Sequence, residues 1–209
     1  MIDLKKVIEP GSLRWLGQTY KGLPPHKTVI AGKEISNIAL AIGLPCYRFK
    51  RFNVKNIFVI HDSKKIAYVF VNPKYKYYRK AFKEVIGNIP HKFDVDHVLS
   101  KSLANHLGYN YVLLGIVPFK VNIRHGRFEK IKINIDDVPK ICYPDDRIFD
   151  KILSRNPTAR RSKDELLKGY TPQAILKSGL TLKQAGIWNS TFAFDSIDIQ
   201  TLISKTIPI

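Results

Sequence analysis

An α+β fold is what this sequence predicts, and three of its features predict it. Two runs rich in β-branched and aromatic residues, Ile57-Phe58-Val59-Ile60 and Ile66 to Val71, flank the polar stretch His61-Asp62-Ser63-Lys64-Lys65 as the arms of a hairpin flank its turn. Apolar residues recur at helical spacing at Ile35, Ile38, Ala39 and Ile42. Between Phe93 and Ile131 the order is strand, loop, strand, helix. With 209 residues, one compact domain with an appendage is expected rather than two equal domains. Hydrophobic residues at 44% and charged residues at 25% supply a core and exclude a disordered chain.

The elements follow in order. Met1 to Gly32 reads as an N-terminal helix around Leu13, Leu16 and Tyr20, ended by Gly22-Leu23-Pro24-Pro25, and then a loop. Lys33 to Leu44 is a helix with a buried face, stopped by Gly43 and Pro45. Tyr47 to Phe52 alternates aromatic and basic residues as a strand, the hairpin follows, and Tyr75 to Ile86 is helical, closed by Gly87. This basic region, residues 1–92, leads into a unit at 93–135. There Phe93 to Ser100 and Tyr111 to Val117 are strands, and Pro118 to Ile131 is a helix with Pro118 in its first turn. Residues 136–209 read as a loop and a helical extension, with a helix near Asp150 and a basic patch at Arg155, Arg160 and Arg161. A ten-residue echo between Leu166 and Gln184 has too few copies for a solenoid and reads as short capped helices.

Charge narrows the function classes. Thirty-five Lys and Arg against 17 Asp and Glu leave +18, a field that favours polyanions. No apolar run approaches the roughly 18 residues of a membrane span, and Met1-Ile2-Asp3-Leu4-Lys5-Lys6 lacks the apolar centre of a signal peptide. The expected location is the cytoplasm, or delivery by a specialised secretion system. Cys46 and Cys142 have no CxxC companion, which excludes a zinc site built on thiolates. Tyr47 to Lys83 holds eleven Lys or Arg, ten aromatic residues and the single acid Asp62. Most of these rings are expected to face a sheet core, while Lys74, Lys76, Arg79 and Lys80 hold phosphates, with Arg124 and Arg127 as further contacts.

The chemistry-bearing stretch is Phe93-Asp94-Val95-Asp96-His97-Val98-Leu99-Ser100. Phosphodiester hydrolysis needs a water deprotonated near neutral pH and a cation to neutralise charge on the phosphate and leaving oxygen. A neutral imidazole at His97, with an ordinary pKa of roughly 6.5, is a suitable base. Oxygen ligands from Asp96 and Asn122 suit one Mg²⁺ or Mn²⁺ ion. On the expected helix, Asn122, His125 and Glu129 share a face at i, i+3 and i+7. Glu129 reads as a surface charge paired with Arg127 or Lys132.

Asp94-Val95-Asp96-His97-Val98, with Asn122 some 25 positions on, resembles the HNH or His-Me finger nucleases, the ββα-metal fold. The stretch Asp94 to His97 is most similar to the HNH domain of CRISPR RNA-guided nucleases. The resemblance covers about 40 of the 209 residues. It implies His97 as general base, Asp96 and Asn122 as ligands of a divalent ion, and an intervening asparagine that orients the histidine. The third family position is often histidine, and His125 lies one turn beyond Asn122, so either or both face the metal. Asn105 and Asn110 are both candidates for the orienting residue, and spacing does not choose between them.

Two classes of function compete. The first is a metal-dependent endonuclease acting on DNA, or on RNA, with low sequence specificity, as in a toxin, effector or defence nuclease; a site-specific restriction-type enzyme is its variant. A toxin implies an acidic immunity protein as partner, and a restriction enzyme implies a methyltransferase. The second is a noncatalytic nucleic-acid-binding protein, which has no use for Asp96, His97 and Asn122 as a set.

Overall fold

A computed structural model of the chain describes residues 29–61, 67–86, 89, 91–126, 129, 138–144, 148, 151 and 199–209. They form an α+β structure. Its strands are β1 (Ala31–Gly32), β2 (Cys46–Phe49), β3 (Ile57–His61), β4 (Ala67–Val71), β5 (Phe93–His97), β6 (Tyr111–Pro118), β7 (Ile141–Cys142) and β8 (Thr206–Pro208). Its helices are α1 (Ile35–Ile42), α2 (Tyr78–Ile86), α3 (Lys101–His106), α4 (Phe119–His125) and α5 (Ile199–Lys205). All the strand pairings are antiparallel, in the order β7-β1-β6-β4-β3-β2-β8, and β5 pairs with β6 off this path.

Both faces of the sheet are covered, which is why β3 is buried along its whole length and β6 along all but its last residue. Side chains alternate between the faces. Phe58, Ile60, Tyr68 and Phe70 pack with Ile38 and Ile42 of α1 and Leu103 of α3. Ile57, Val59, Val69, Val71 and Leu114 pack with Tyr78, Ala81 and Phe82 of α2 and Leu202 of α5. Of the ten rings between Tyr47 and Lys83, Tyr77 alone is exposed, so the expectation that these aromatics build a sheet core holds.

The hairpin from Ile57 to Val71 forms as its pattern predicts, with Ile57 opposite Val71 and Ile60 opposite Tyr68. Helix α1 ends where expected, because Gly43 adopts φ 72° and its N–H bonds back to the Ala39 carbonyl. Gly32 has a different constraint: a Cβ there would lie 2.5 Å from Cγ1 of the fully buried Ile38. Gly32→Val is therefore expected to cost about 1–3 kcal/mol of stability by overpacking, read as a lower urea midpoint at unchanged slope. An unchanged midpoint would show that α1 can retreat from β1.

Four elements were not expected. β1 and β7 are two residues each, too short for any period to show. Helix α3 occupies the stretch after Ser100 that was expected to be a loop, and the Ser100 hydroxyl accepts from the Leu103 N–H at 3.3 Å. The segment after Asp136, read as a helical extension, contributes strands β7 and β8 to the sheet as well as helix α5. Boundaries also shift: β2 is Cys46–Phe49 rather than Tyr47 to Phe52, α1 is Ile35–Ile42 within the expected Lys33 to Leu44, and β5 ends at His97 rather than Ser100. Helix α2 starts at Tyr78, after a turn in which Tyr75 N–H bonds the Asn72 carbonyl. Helix α4 ends at His125 with Gly126 as its cap, and Pro118 precedes the helix. The N-terminal stretch around Leu13, Leu16 and Tyr20, Asp62 to Ile66, Arg127, the patch at Arg155, Arg160 and Arg161, and the echo at 166–184 lie outside the described residues. Among the described residues no helix is long and apolar enough to cross a membrane.

Candidate active site

Strand β6 links the candidate site to the core. Its first residues pair with β1 and β4, and its last five pair with β5, setting Asp94 opposite Val117, Asp96 opposite Gly115 and His97 opposite Leu114. Helix α4 follows β6 directly and packs against both β5 and β6. A strand pair followed by a helix on the same stretch of chain thus surrounds the residues singled out by sequence.

Alternation along β5 sends Asp94 and Asp96 to one face, and Val95 and His97 to the other. Asp94 is held from two sides. Arg79 of α2 donates from Nη2 to Asp94 Oδ2 at 2.9 Å and from Nε to the Val95 carbonyl at 3.2 Å. From α4, Asn122 donates from Nδ2 to the same Asp94 oxygen at 3.5 Å. Asn122 thus meets Asp94 rather than Asp96, the aspartate expected to share a metal with it. His125 closes α4 and is buried.

Asp96 meets a residue that sequence reasoning gave no role. The Lys151 ammonium donates to Asp96 Oδ2 at 2.7 Å, to the His97 carbonyl at 3.0 Å, and to Glu129 Oε1. Because α4 stops at His125, Glu129 does not continue the helical face of Asn122 and His125. Instead its carbonyl accepts from the Ser100 hydroxyl at 3.1 Å, and its carboxylate turns to Lys151. Lys151 is 2% exposed. Burial by itself would raise the Asp96 carboxyl, but the adjacent Lys151 charge and hydrogen bond, helped by His97, bring it below the usual carboxylate value.

His97 lies on the core side, 1% exposed, its ring centroid 4.3 Å from that of Tyr78. Burial pushes its pKa down to about 4. Asp96 opposes that shift, and Lys101, Lys151 and Arg79 add to it. The imidazole is thus neutral at pH 7. Its Nδ1 stands 4.0 Å from Asp96 Oδ1, and neither ring nitrogen has a hydrogen-bond partner among the described residues. Neither candidate for the orienting asparagine reaches it. Asn110 donates to the Lys33 carbonyl at 2.8 Å, and Asn105 is exposed on α3.

Lys74, Lys76 and Lys80 are exposed, as is Tyr77 between them in sequence, on α2 and the turn before it. Arg79, though half exposed, is committed to Asp94. Arg124 is exposed on α4, next to the exposed Ile123. Among the described residues no three His, Cys, Asp or Glu side chains converge as a metal cage. The donors that do converge are oxygens, namely two carboxylates and a backbone carbonyl around Lys151, and this is the donor chemistry a magnesium-class ion takes. Glu129 is in view at i+7 from Asn122 but reads as a surface charge, whereas Lys151 could not be found from spacing, because it lies 55 positions from Asp96 in the chain. The chain matches no family model, no curated protein and no solved structure.

Proposed function

We propose that the chain is a metal-dependent endonuclease that hydrolyses phosphodiester bonds of DNA with little sequence preference, built on a ββα-metal unit formed by β5, β6 and α4. The observation that supports this reading is the hydrogen bond from Asn122 on α4 to Asp94 on β5, the strand that also carries Asp96 and His97. The net charge of +18 supplies the attraction for a polyanion. His97, unprotonated at neutral pH, is the base that takes a proton from the attacking water. Asp96 and Asn122, with His125 as the other helix candidate, would hold one Mg²⁺ or Mn²⁺. The ion supplies neutralisation of charge on the phosphate and the leaving oxygen. Plasmid nicking in Mg²⁺, lost in EDTA, tests the proposal; no nicking with either metal sinks it.

Burial of His97 against Tyr78 favours a second reading, a nucleic-acid-binding protein without cleavage, in which His97 is a core residue. Duplex affinity without nicking selects it. Asp96→Ala and Asn122→Ala are expected to raise the Mg²⁺ concentration needed for half-maximal nicking, since each removes an oxygen ligand. A larger metal defect in His125→Ala than in Asn122→Ala would transfer the helix-ligand role to His125.

Under either reading the exposed lysines flanking Tyr77 in sequence contact phosphates rather than bases. Affinity for duplex DNA should then fall with salt at a slope of about −0.9 per phosphate neutralised, and Lys76→Ala should flatten that slope by about one unit for any sequence. A salt titration on two unrelated duplexes and one RNA checks this. Salt-insensitive affinity, or a strong preference for one duplex, would bring the restriction-type variant forward.

A further inference from the structure

The cluster around Lys151 has the composition of a cation site that already holds a cation. An ammonium has three N–H donors, and here each meets one oxygen: Asp96 Oδ2, the His97 carbonyl and Glu129 Oε1. Two carboxylates against one ammonium leave the cluster one negative charge in excess, which a divalent ion in place of the ammonium would cancel. Access differs between the parts. The Lys151 side chain is 2% exposed, whereas the side chains of Asp96 and Glu129 are 20% and 16% exposed, so the two acids reach solvent where the lysine does not. A second observation comes from His97. Its side chain is 1% exposed and both ring nitrogens lack partners, with Nδ1 4.0 Å from Asp96 Oδ1. A buried polar group left unsatisfied is costly, and this one lies against the Asp96 oxygen that the ammonium leaves unused.

We propose that Asp96 Oδ2, Glu129 Oε1 and the His97 carbonyl oxygen form a divalent-cation site whose ligands are taken by the Lys151 ammonium in the metal-free chain, so that ion entry requires Lys151 to leave. The proposal rests on the nuclease reading in one respect, that Asp96 is a metal ligand, and it adds Glu129 and a backbone carbonyl to the donor set. The ligands are hard oxygens, which select ions of the Mg²⁺, Mn²⁺ and Ca²⁺ class over thiophilic metals. Lys151 is then an internal competitor. It stabilises the two carboxylates while no ion is bound, and it lowers apparent ion affinity by the fraction of chains in which the oxygens are occupied.

The test uses the full chain without nucleic acid, titrated with Mn²⁺ and followed by the electron paramagnetic resonance signal of the free ion. Lys151→Met removes the competitor and is expected to tighten Mn²⁺ binding by about tenfold or more. Glu129→Gln removes a charged ligand and is expected to weaken it by a similar factor, while replacing the exposed Lys140, as Lys140→Ala, leaves it unchanged. Equal affinity in Lys151→Met and wild type overturns the proposal, as does a Glu129→Gln variant that binds like wild type. Lys151→Met leaves two carboxylates facing each other and can fail to fold, so a second measurement uses the wild-type chain. Acylation of Lys151, mapped by peptide mass, is expected to rise when saturating Mg²⁺ is added; unchanged labelling overturns displacement. The nicking assay separates the two readings. Mn²⁺ affinities that shift as expected in a chain that never nicks remove the nuclease and keep the cation site. Mg²⁺-dependent nicking with Mn²⁺ affinity indifferent to Lys151 does the reverse.

Discussion

Replacing His97 with alanine is expected to lower plasmid nicking by about 10²- to 10⁴-fold, the usual contribution of a general base, while duplex affinity stays close to wild type. The two quantities separate because the lysines flanking Tyr77 in sequence sit on α2 and the turn before it, whereas His97 lies on β5 beneath that helix. His97→Gln keeps more of the volume packed against Tyr78, and it should show the same loss with less effect on folding. Nicking rate and duplex affinity are measured on one preparation of each variant, with circular dichroism confirming the fold. Nicking at the wild-type rate in both would take His97 out of the chemistry and leave it a core residue.

Acid should destabilise the metal-free protein well above the pH at which carboxylates titrate. The His97 pKa is about 4 in the folded chain, against an ordinary value of 6.5. Between these values the unfolded chain binds more protons than the folded one, so stability is full above about pH 6.5 and falls as the pH drops towards 4. At 1.36 kcal/mol per unit, the loss across this window is on the order of 3 kcal/mol. Asp96, also lowered, adds its own loss only below its ordinary value of 3.8, as Lys151 loses the charge it is paired with. Urea midpoints in EDTA at pH 7.5, 6, 5 and 4 should therefore fall in wild type and stay nearly level in His97→Gln. A wild-type midpoint constant down to pH 4 would mean that the imidazole is not buried neutral in solution.

Where the side-chain period ran long enough, it was legible. The hairpin of β3 and β4, helix α1 with its Gly43 stop, and the succession of β5, β6 and α4 all rest on runs whose alternation or 3.6-residue period is set by local geometry. What stayed hidden depends on partners distant in the chain. β1 is a strand because β6 and β7 flank it, since two residues have no period of their own. For α3 a local signal did exist, the Ser100 cap, but Lys101-Ser102-Leu103-Ala104 is too short a run to reveal a buried face. At the candidate site, the aspartate, histidine and asparagine could be named from one stretch of sequence. Glu129 is legible there only as a surface charge and Lys151 not at all, because their meeting beside Asp96 joins residues far apart in the chain.

The pairing of β8 with β2, which sets Tyr47 against Pro208 and Phe49 against Thr206, bears on how the protein is made. A ribosome releases β2 long before β8, so during synthesis the outer edge of β2 waits with unpaired N–H and C=O groups while the 156 residues from Lys50 to Lys205 are added. Such an edge is a template for pairing with another nascent chain. Arg48 within the strand, and Lys50 and Arg51 just after it, are exposed and place positive charge along that waiting edge. Two such edges on neighbouring polysomes would repel each other, so the same basic character that suits a polyanion also guards the half-made sheet until Thr206 to Pro208 arrive to close it.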